Sequence, residues 1–121
     1  MEFEKSSDKI QIISNRISRV ELKTVAEQQF GDMVKAVVDI ERKIMAIGGE
    51  MHADEEALLL ENGSRQSDLW GINIYPGNLT DQWIEFDSMI NIRPNQKNRS
   101  RGVEDAETRK NIVDIVNSLV K

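Results

Sequence analysis

Apolar positions in this chain come in short runs whose period switches between two and about 3.6, and the switches predict the elements. Ile10, Ile12 and Ile13 mark residues 9–14 as a short strand. Ser18 and Glu21 then stand at capping-box spacing, with Ile17 and Leu22 at the flanking staple positions. Leu22, Val25, Ala26 and Phe30 follow helical spacing up to Gly31, which predicts a helix over 19–30. Residues 33–48 fit two patterns. Val34, Val37, Val38, Ile40, Ile44, Met45 and Ile47 would cover a broad helical stripe, or form strands 34–40 and 44–47 around a Glu41-Arg42-Lys43 turn. The Val and Ile content and the closing Gly48-Gly49 favour the hairpin.

A second helix is expected where Asp54, Glu55 and Glu56 precede Ala57–Glu61, because acids favour a helix N-terminus; Asn62-Gly63 closes it. Leu69–Tyr75 reads as a strand ended by Pro76-Gly77. Strict alternation from Ile84 to Ile92 is the clearest strand signal in the chain, and Pro94 stops it. A final helix over 105–120 carries Ile112, Val113, Val116, Leu119 and Val120 on one stripe. The order is β-α-β-β-α-β-β-α with short steps between strands. It predicts an α+β domain of two layers, a largely antiparallel sheet of about five strands with about three helices on one face.

Length changes the picture little: 121 residues fit one domain, taken as 9–121 behind a flexible, polar tail at 1–8. Composition does exclude some chemistry. There is no cysteine, so no disulfide, thiolate nucleophile or Cys-bound metal can form. His52 is the single histidine, and no metal-ligand spacing surrounds it, so neither a metal nor another cofactor is expected. A net charge of −5 argues against general nucleic-acid binding, which draws its affinity from basic residues on phosphates. The polar start lacks a signal-peptide core, and no apolar run approaches the roughly 18 residues of a membrane span. A cytoplasmic location is the expectation.

Candidate chemistry concentrates in three places. The loop at 93–102 carries Arg93, Lys97, Arg99 and Arg101 among the amides of Asn95, Gln96 and Asn98, and it leads into a helix N-terminus. Arginine forks and free helix N–H groups both suit phosphate or carboxylate, so Arg93, Asn95, Lys97, Asn98, Arg99 and Arg101 are anion-binding candidates. The plainer reading pairs these cations with Glu104, Asp105 and Glu107 downstream. His52 lies among Glu50, Asp54, Glu55 and Glu56, where a base oriented by an acid is conceivable, against a plain helix start. The third place is the polar face of the 84–92 strand, with Glu85, Asp87, Asn91 and Arg93, which would meet Asn73 and Tyr75 if strands 69–75 and 84–92 pair. A wet sheet face is the ordinary meaning of such alternation. Trp70 and Trp83 suit either a pocket wall, an oligomer interface or core packing.

Several segments together resemble a small uncharacterised family of bacterial and archaeal proteins. They are Val38-Asp39-Ile40-Glu41, Gly48-Gly49-Glu50-Met51-His52-Ala53-Asp54, Leu60-Glu61-Asn62-Gly63-Ser64, Asp68-Leu69-Trp70-Gly71-Ile72-Asn73, and Ile90-Asn91-Ile92-Arg93-Pro94 with Asn98-Arg99-Ser100-Arg101. The resemblance implies a prokaryotic cytoplasmic protein and carries no activity or site residue with it. The residues themselves favour a non-enzymatic binding module, compatible with a homo-oligomer, that contacts a phosphate-bearing ligand or a nucleic-acid backbone through the 93–102 loop. The alternative is a small hydrolase of phosphate- or carboxylate-bearing substrates, with His52 or Asp87 as base and Arg93, Arg99 or Arg101 holding the anion.

Overall fold

A computed structural model describes residues 9–121; the expected tail at 1–8 lies outside them. The elements are β1 (Gln11–Ile13), α1 (Arg19–Gln29), β2 (Val34–Asp39), β3 (Ile44–Ile47), α2 (His52–Glu61), β4 (Leu69–Ile74), β5 (Ile84–Glu85) and α3 (Ala106–Leu119). Three short 3-10 turns, Gln66–Asp68, Met89–Asn91 and Pro94–Gln96, fill the longer connections. The class is α+β, and the element order is the one the periodicity predicts. Every pairing in the five-stranded sheet is antiparallel, and the strand order is β1-β3-β2-β4-β5. No helix among the described residues is long and apolar enough to cross a membrane.

Local chemistry explains the elements. Ser18 and Glu21 form both bonds of the capping box: Glu21 N donates to Ser18 Oγ at 3.0 Å, and Ser18 N donates to Glu21 Oε1 at 3.3 Å. Such a cap stabilises by about 1 kcal/mol. Residues 33–48 form the hairpin, and Asp39 decides it. Its Oδ1 accepts from Glu41 N and Arg42 N at 2.9 Å each, while Lys43 turns back with φ 57°. Its Oδ2 accepts from Ser64 Oγ at 2.6 Å, tying the turn to the end of α2. A buried carboxylate with three donors is well satisfied, and a helix through this segment would have left it bare.

Two expectations are corrected. The helices do not share one face. α1 and α3 pack Leu22, Ala26, Ile112, Val116 and Leu119 onto Val34, Ala36, Val38, Met45, Ile47, Ile72 and Ile74. Helix α2 packs on the opposite face, with Leu59 over Val37, Ile44, Ala46 and Leu69. The central strands are apolar on both sides, so one helical layer would have left the second apolar strip in water.

The 84–92 alternation does not continue as a strand either; β5 stops at Glu85. Beyond it the chain crosses over Gly71 of β4. Ser88 Cβ and Oγ lie only 2.6 Å from where a Gly71 Cβ would be, so only glycine admits the crossing. The Asn91 side chain then takes the place of a paired strand: Gly71 N donates to its Oδ1 at 2.8 Å, and its Nδ2 donates to Gly71 O at 2.9 Å. Ile84 and Phe86 join the α1/α3 side of the sheet, whereas Ile90 joins the α2 side.

Candidate functional site

The face carrying α2 is only partly covered. Strand residues pointing to that side alternate with the core of the other face. On β2 they are Lys35, Val37 and Asp39; on β4, Leu69, Gly71 and Asn73. Cross-strand register sorts them into rows. One row, Ala46–Val37–Gly71, is apolar and lies beneath α2 and the Met89–Asn91 turn. The next row is Lys35–Asn73–Glu85: Lys35 pairs with Asn73, and Asn73 pairs with Glu85. Here the helix no longer covers the sheet, and an open cleft of about 400 Å³ remains. Its floor is that row with Tyr75. Its walls are Met51 and His52 at the start of α2, then Asp87, Ser88 and Met89, then Arg101.

A hydrogen-bond network fixes the floor. Asn73 Nδ2 donates to Glu85 Oε1 at 2.9 Å, and Tyr75 OH donates to the same oxygen at 3.2 Å. Burial raises the Tyr75 phenol above its ordinary value, and the Glu85 charge adds to the shift. On the wall, Arg101 Nε donates to Asp87 Oδ1 at 2.6 Å, while the terminal guanidinium nitrogens keep no partner among the described residues. Lys35 makes no ion pair among those residues; its Nζ lies 5.3 Å from the Phe30 ring centroid.

His52 is the first residue of α2 and is buried. Its Nε2 lies 2.8 Å from the Ile72 carbonyl. A carbonyl only accepts, so Nε2 carries the proton and Nδ1 carries the lone pair. Burial lowers the imidazole below its ordinary value, and the Ile72 bond opposes this; Lys35 and Arg101 lower it further, while Asp87 raises it. The ring is therefore a neutral, oriented base at neutral pH.

The 93–102 loop has a different role from the one its composition suggests. Arg93 is buried and stacks on Trp70, 4.3 Å from the ring centroid, and its two terminal nitrogens donate to the Gln66 and Leu69 carbonyls. Asn98 is buried too: its Nδ2 donates to the carbonyls of Asn91, Ser100 and Gly102, and its Oδ1 accepts from Glu104 N. Glu104 accepts the N–H groups of Arg99 and Ser100, which hold its carboxyl below the usual range. Asp105 caps α3 through Thr108 N at 2.9 Å. The backbone donors that would greet an anion are thus taken by the chain's own acids. Asn95, Lys97 and Arg99 remain exposed on the surface of the turn, and Arg101 alone of the six reaches the cleft. Trp70 and Lys97 line a separate groove of about 520 Å³ beside the start of α3.

A family described as a protein of unknown function, DUF5674, matches residues 11–119. The chain belongs to this family. The DUF5674 match opens on the first residue of β1 and closes on the last of α3, so it takes in the whole sheet, all three helices and every cleft residue. No curated protein and no solved structure matches the chain. Among the described residues of this DUF5674 protein, no group of three or more His, Asp or Glu side chains is placed to hold a metal ion.

The structure brings together His52, Asp87 and Arg101 from the secondary and loop candidates, with Glu85, Asn73 and Tyr75 from the polar face. It leaves Asp54 in the first turn of α2, outside the cleft, and turns Asn91 and Arg93 to structural work. Sequence reasoning missed Lys35 and Ser88. A signal for Lys35 was present: it is the one charge inside Val34-Lys35-Ala36-Val37-Val38, on a strand otherwise buried. Glu55 stands in the first turn of α2, as expected of a helix-start acid, and it is fully buried. Its Oε2 accepts from Gly49 N at 2.9 Å, Oε1 has no partner, and burial pushes the carboxyl well above its ordinary value.

Proposed function

We propose that the chain is a small-ligand-binding module, and that its site is the cleft on the α2 face rather than the 93–102 loop. The supporting observation is convergence. Residues from β2, α2, β4, β5 and the 86–101 segment meet over a stretch of sheet that α2 leaves open. The ligand is a small polar molecule with an anionic group, which Lys35 and the outer nitrogens of Arg101 receive while Glu85 and Asp87 accept hydrogen bonds. A cleft of this size lies within the range of small-molecule sites. Backbone amide NMR spectra recorded with millimolar phosphate, a sugar phosphate, a hydroxy acid and an amino acid test it. Shifts at Lys35, Asn73, Glu85 and Asp87 are expected. Shifts restricted to residues 95–100, or none at all, would overturn the assignment.

One observation favours a second reading, a small hydrolase of phosphate- or carboxylate-bearing substrates. His52 is held neutral in a single tautomer beside Arg101, which suits a general base next to an anion clamp. Chromogenic phosphate and carboxylate esters would be turned over, and His52→Asn would remove that turnover. Equal rates in the variant would eliminate this reading.

A further inference from the structure

The floor of the cleft holds one group with an unmet demand. Asn73 is 6% exposed, and its Oδ1 is buried with no hydrogen-bond partner. Its orientation is not arbitrary. Glu85 Oε1 and the Asp87 carbonyl only accept, so the amide must turn Nδ2 toward them, at 2.9 and 3.5 Å, and Oδ1 away. Buried acceptors without donors are rare and costly, about 1–3 kcal/mol each. The amide is therefore a fixed part of the floor, and the groups left to meet a ligand are the charges on either side of it.

The neighbours of Asn73 differ in sign. Lys35 lies on one side and Glu85 on the other, two strand spacings apart, roughly 9–10 Å between backbones. Arg101 and Asp87 add one more charge of each sign at the wall. A phosphate dianion set between Lys35 and Arg101 would also face Glu85 and Asp87. A molecule with one positive and one negative end matches the row without that conflict. Above the polar floor, Met51 and Met89 line the rim at 57% and 65% exposure, with Met33 beside them. Thioether side chains of this kind adapt to apolar groups of varied shape.

Resting on the cleft as the binding site, the geometry points to a zwitterionic ligand, an α-amino acid with an apolar side chain. Its carboxylate lies toward Lys35, its ammonium lies toward Glu85, and its side chain lies among Met33, Met51 and Met89.

The test is a set of three titrations followed by amide NMR: L-leucine, 4-methylpentanoate (the same skeleton without the amine) and 3-methylbutylamine (without the carboxylate). Leucine is expected to bind at least tenfold more tightly than either fragment, with shifts at Lys35, Asn73 and Glu85. In Glu85→Gln the leucine advantage over 4-methylpentanoate should collapse toward onefold. In Lys35→Gln both carboxylates should weaken about tenfold, a difference of about 1.4 kcal/mol. Both positions are at or near the surface, so the variants keep the fold. If 4-methylpentanoate binds as well as leucine, or a sugar phosphate shifts the cleft and leucine does not, the zwitterion assignment is overturned and the cleft survives as a site. If no compound shifts the cleft, both fall together.

Discussion

The two faces of the sheet use the same strands to opposite ends. On the α1/α3 face each inward position is apolar along the whole length of β2, β3 and β4, and two helices close it. On the α2 face the character changes along β2 and β4: Val37 and Gly71 lie under the helix, and Lys35 and Asn73, two residues away, lie beyond it. The closed face is a core whose position in the chain could be shifted only by changing every strand. The other face is half core and half site, divided at the shadow of one ten-residue helix. The difference teaches that polarity along a strand locates a site here better than polarity between its two sides.

That contrast can be attacked in order of size. Ile72→Ala removes a fully buried side chain from the closed face and should cost about 2–5 kcal/mol in denaturant unfolding. A cost under 1 kcal/mol would mean that this face is not close-packed. Asn91→Ala should cost about 2–3 kcal/mol, because it leaves Gly71 N–H and C=O unpaired in a buried place. It should also shift the amide signals of Asp87 and Ser88, since the same side chain holds the cleft wall; intact cleft signals would separate wall from dock. Lys35→Gln and Glu85→Gln lie at the other extreme. Each should change stability by no more than about 0.5 kcal/mol, as expected of groups that face the cleft rather than the core. A larger loss from either would make the polar row part of the core.

A further contrast lies within α2, where His52 and Glu55 titrate in opposite senses. Burial raises the Glu55 carboxyl, so between its ordinary and its raised value the folded chain holds a proton that the unfolded chain has lost. Stability therefore falls as pH rises through that window. Burial lowers His52, so between its lowered value and 6.5 the unfolded chain binds the extra proton, and stability falls as pH drops. Thermal melts of Glu55→Gln should lose the downward slope on the alkaline side of 4.5 and keep the His52 slope. A variant with the slope unchanged would show that Glu55 is ionised in the folded chain.

How much of this was legible differs by element. The capping box at Ser18, the stop at Gly31 and the α3 stripe are local signals, and they form as read because partners three or four residues apart meet in any helix. The 33–48 hairpin was legible only as the better of two readings; the deciding contacts come from Asp39, whose third donor, Ser64, is 25 residues away. The 84–92 alternation misled, since the chain leaves the sheet after Glu85 and the side chain of Asn91 does the pairing. In the site, His52, Asp87 and Arg101 could be named, and the hydrolase alternative joined them only as one combination among several. Arg93 and Asn98 looked like their neighbours in composition and are buried against backbone carbonyls instead.

The amino-acid order alone determined the class, the order of the elements outside 33–48, and the pool of groups able to do chemistry, because period, caps and residue type act over a few neighbouring positions. The tertiary structure decided which face α2 takes, which cations are consumed by the chain's own acceptors, and which polar groups share a cleft. Those outcomes depend on how strands distant in sequence line up, and a register of one residue would exchange site for core.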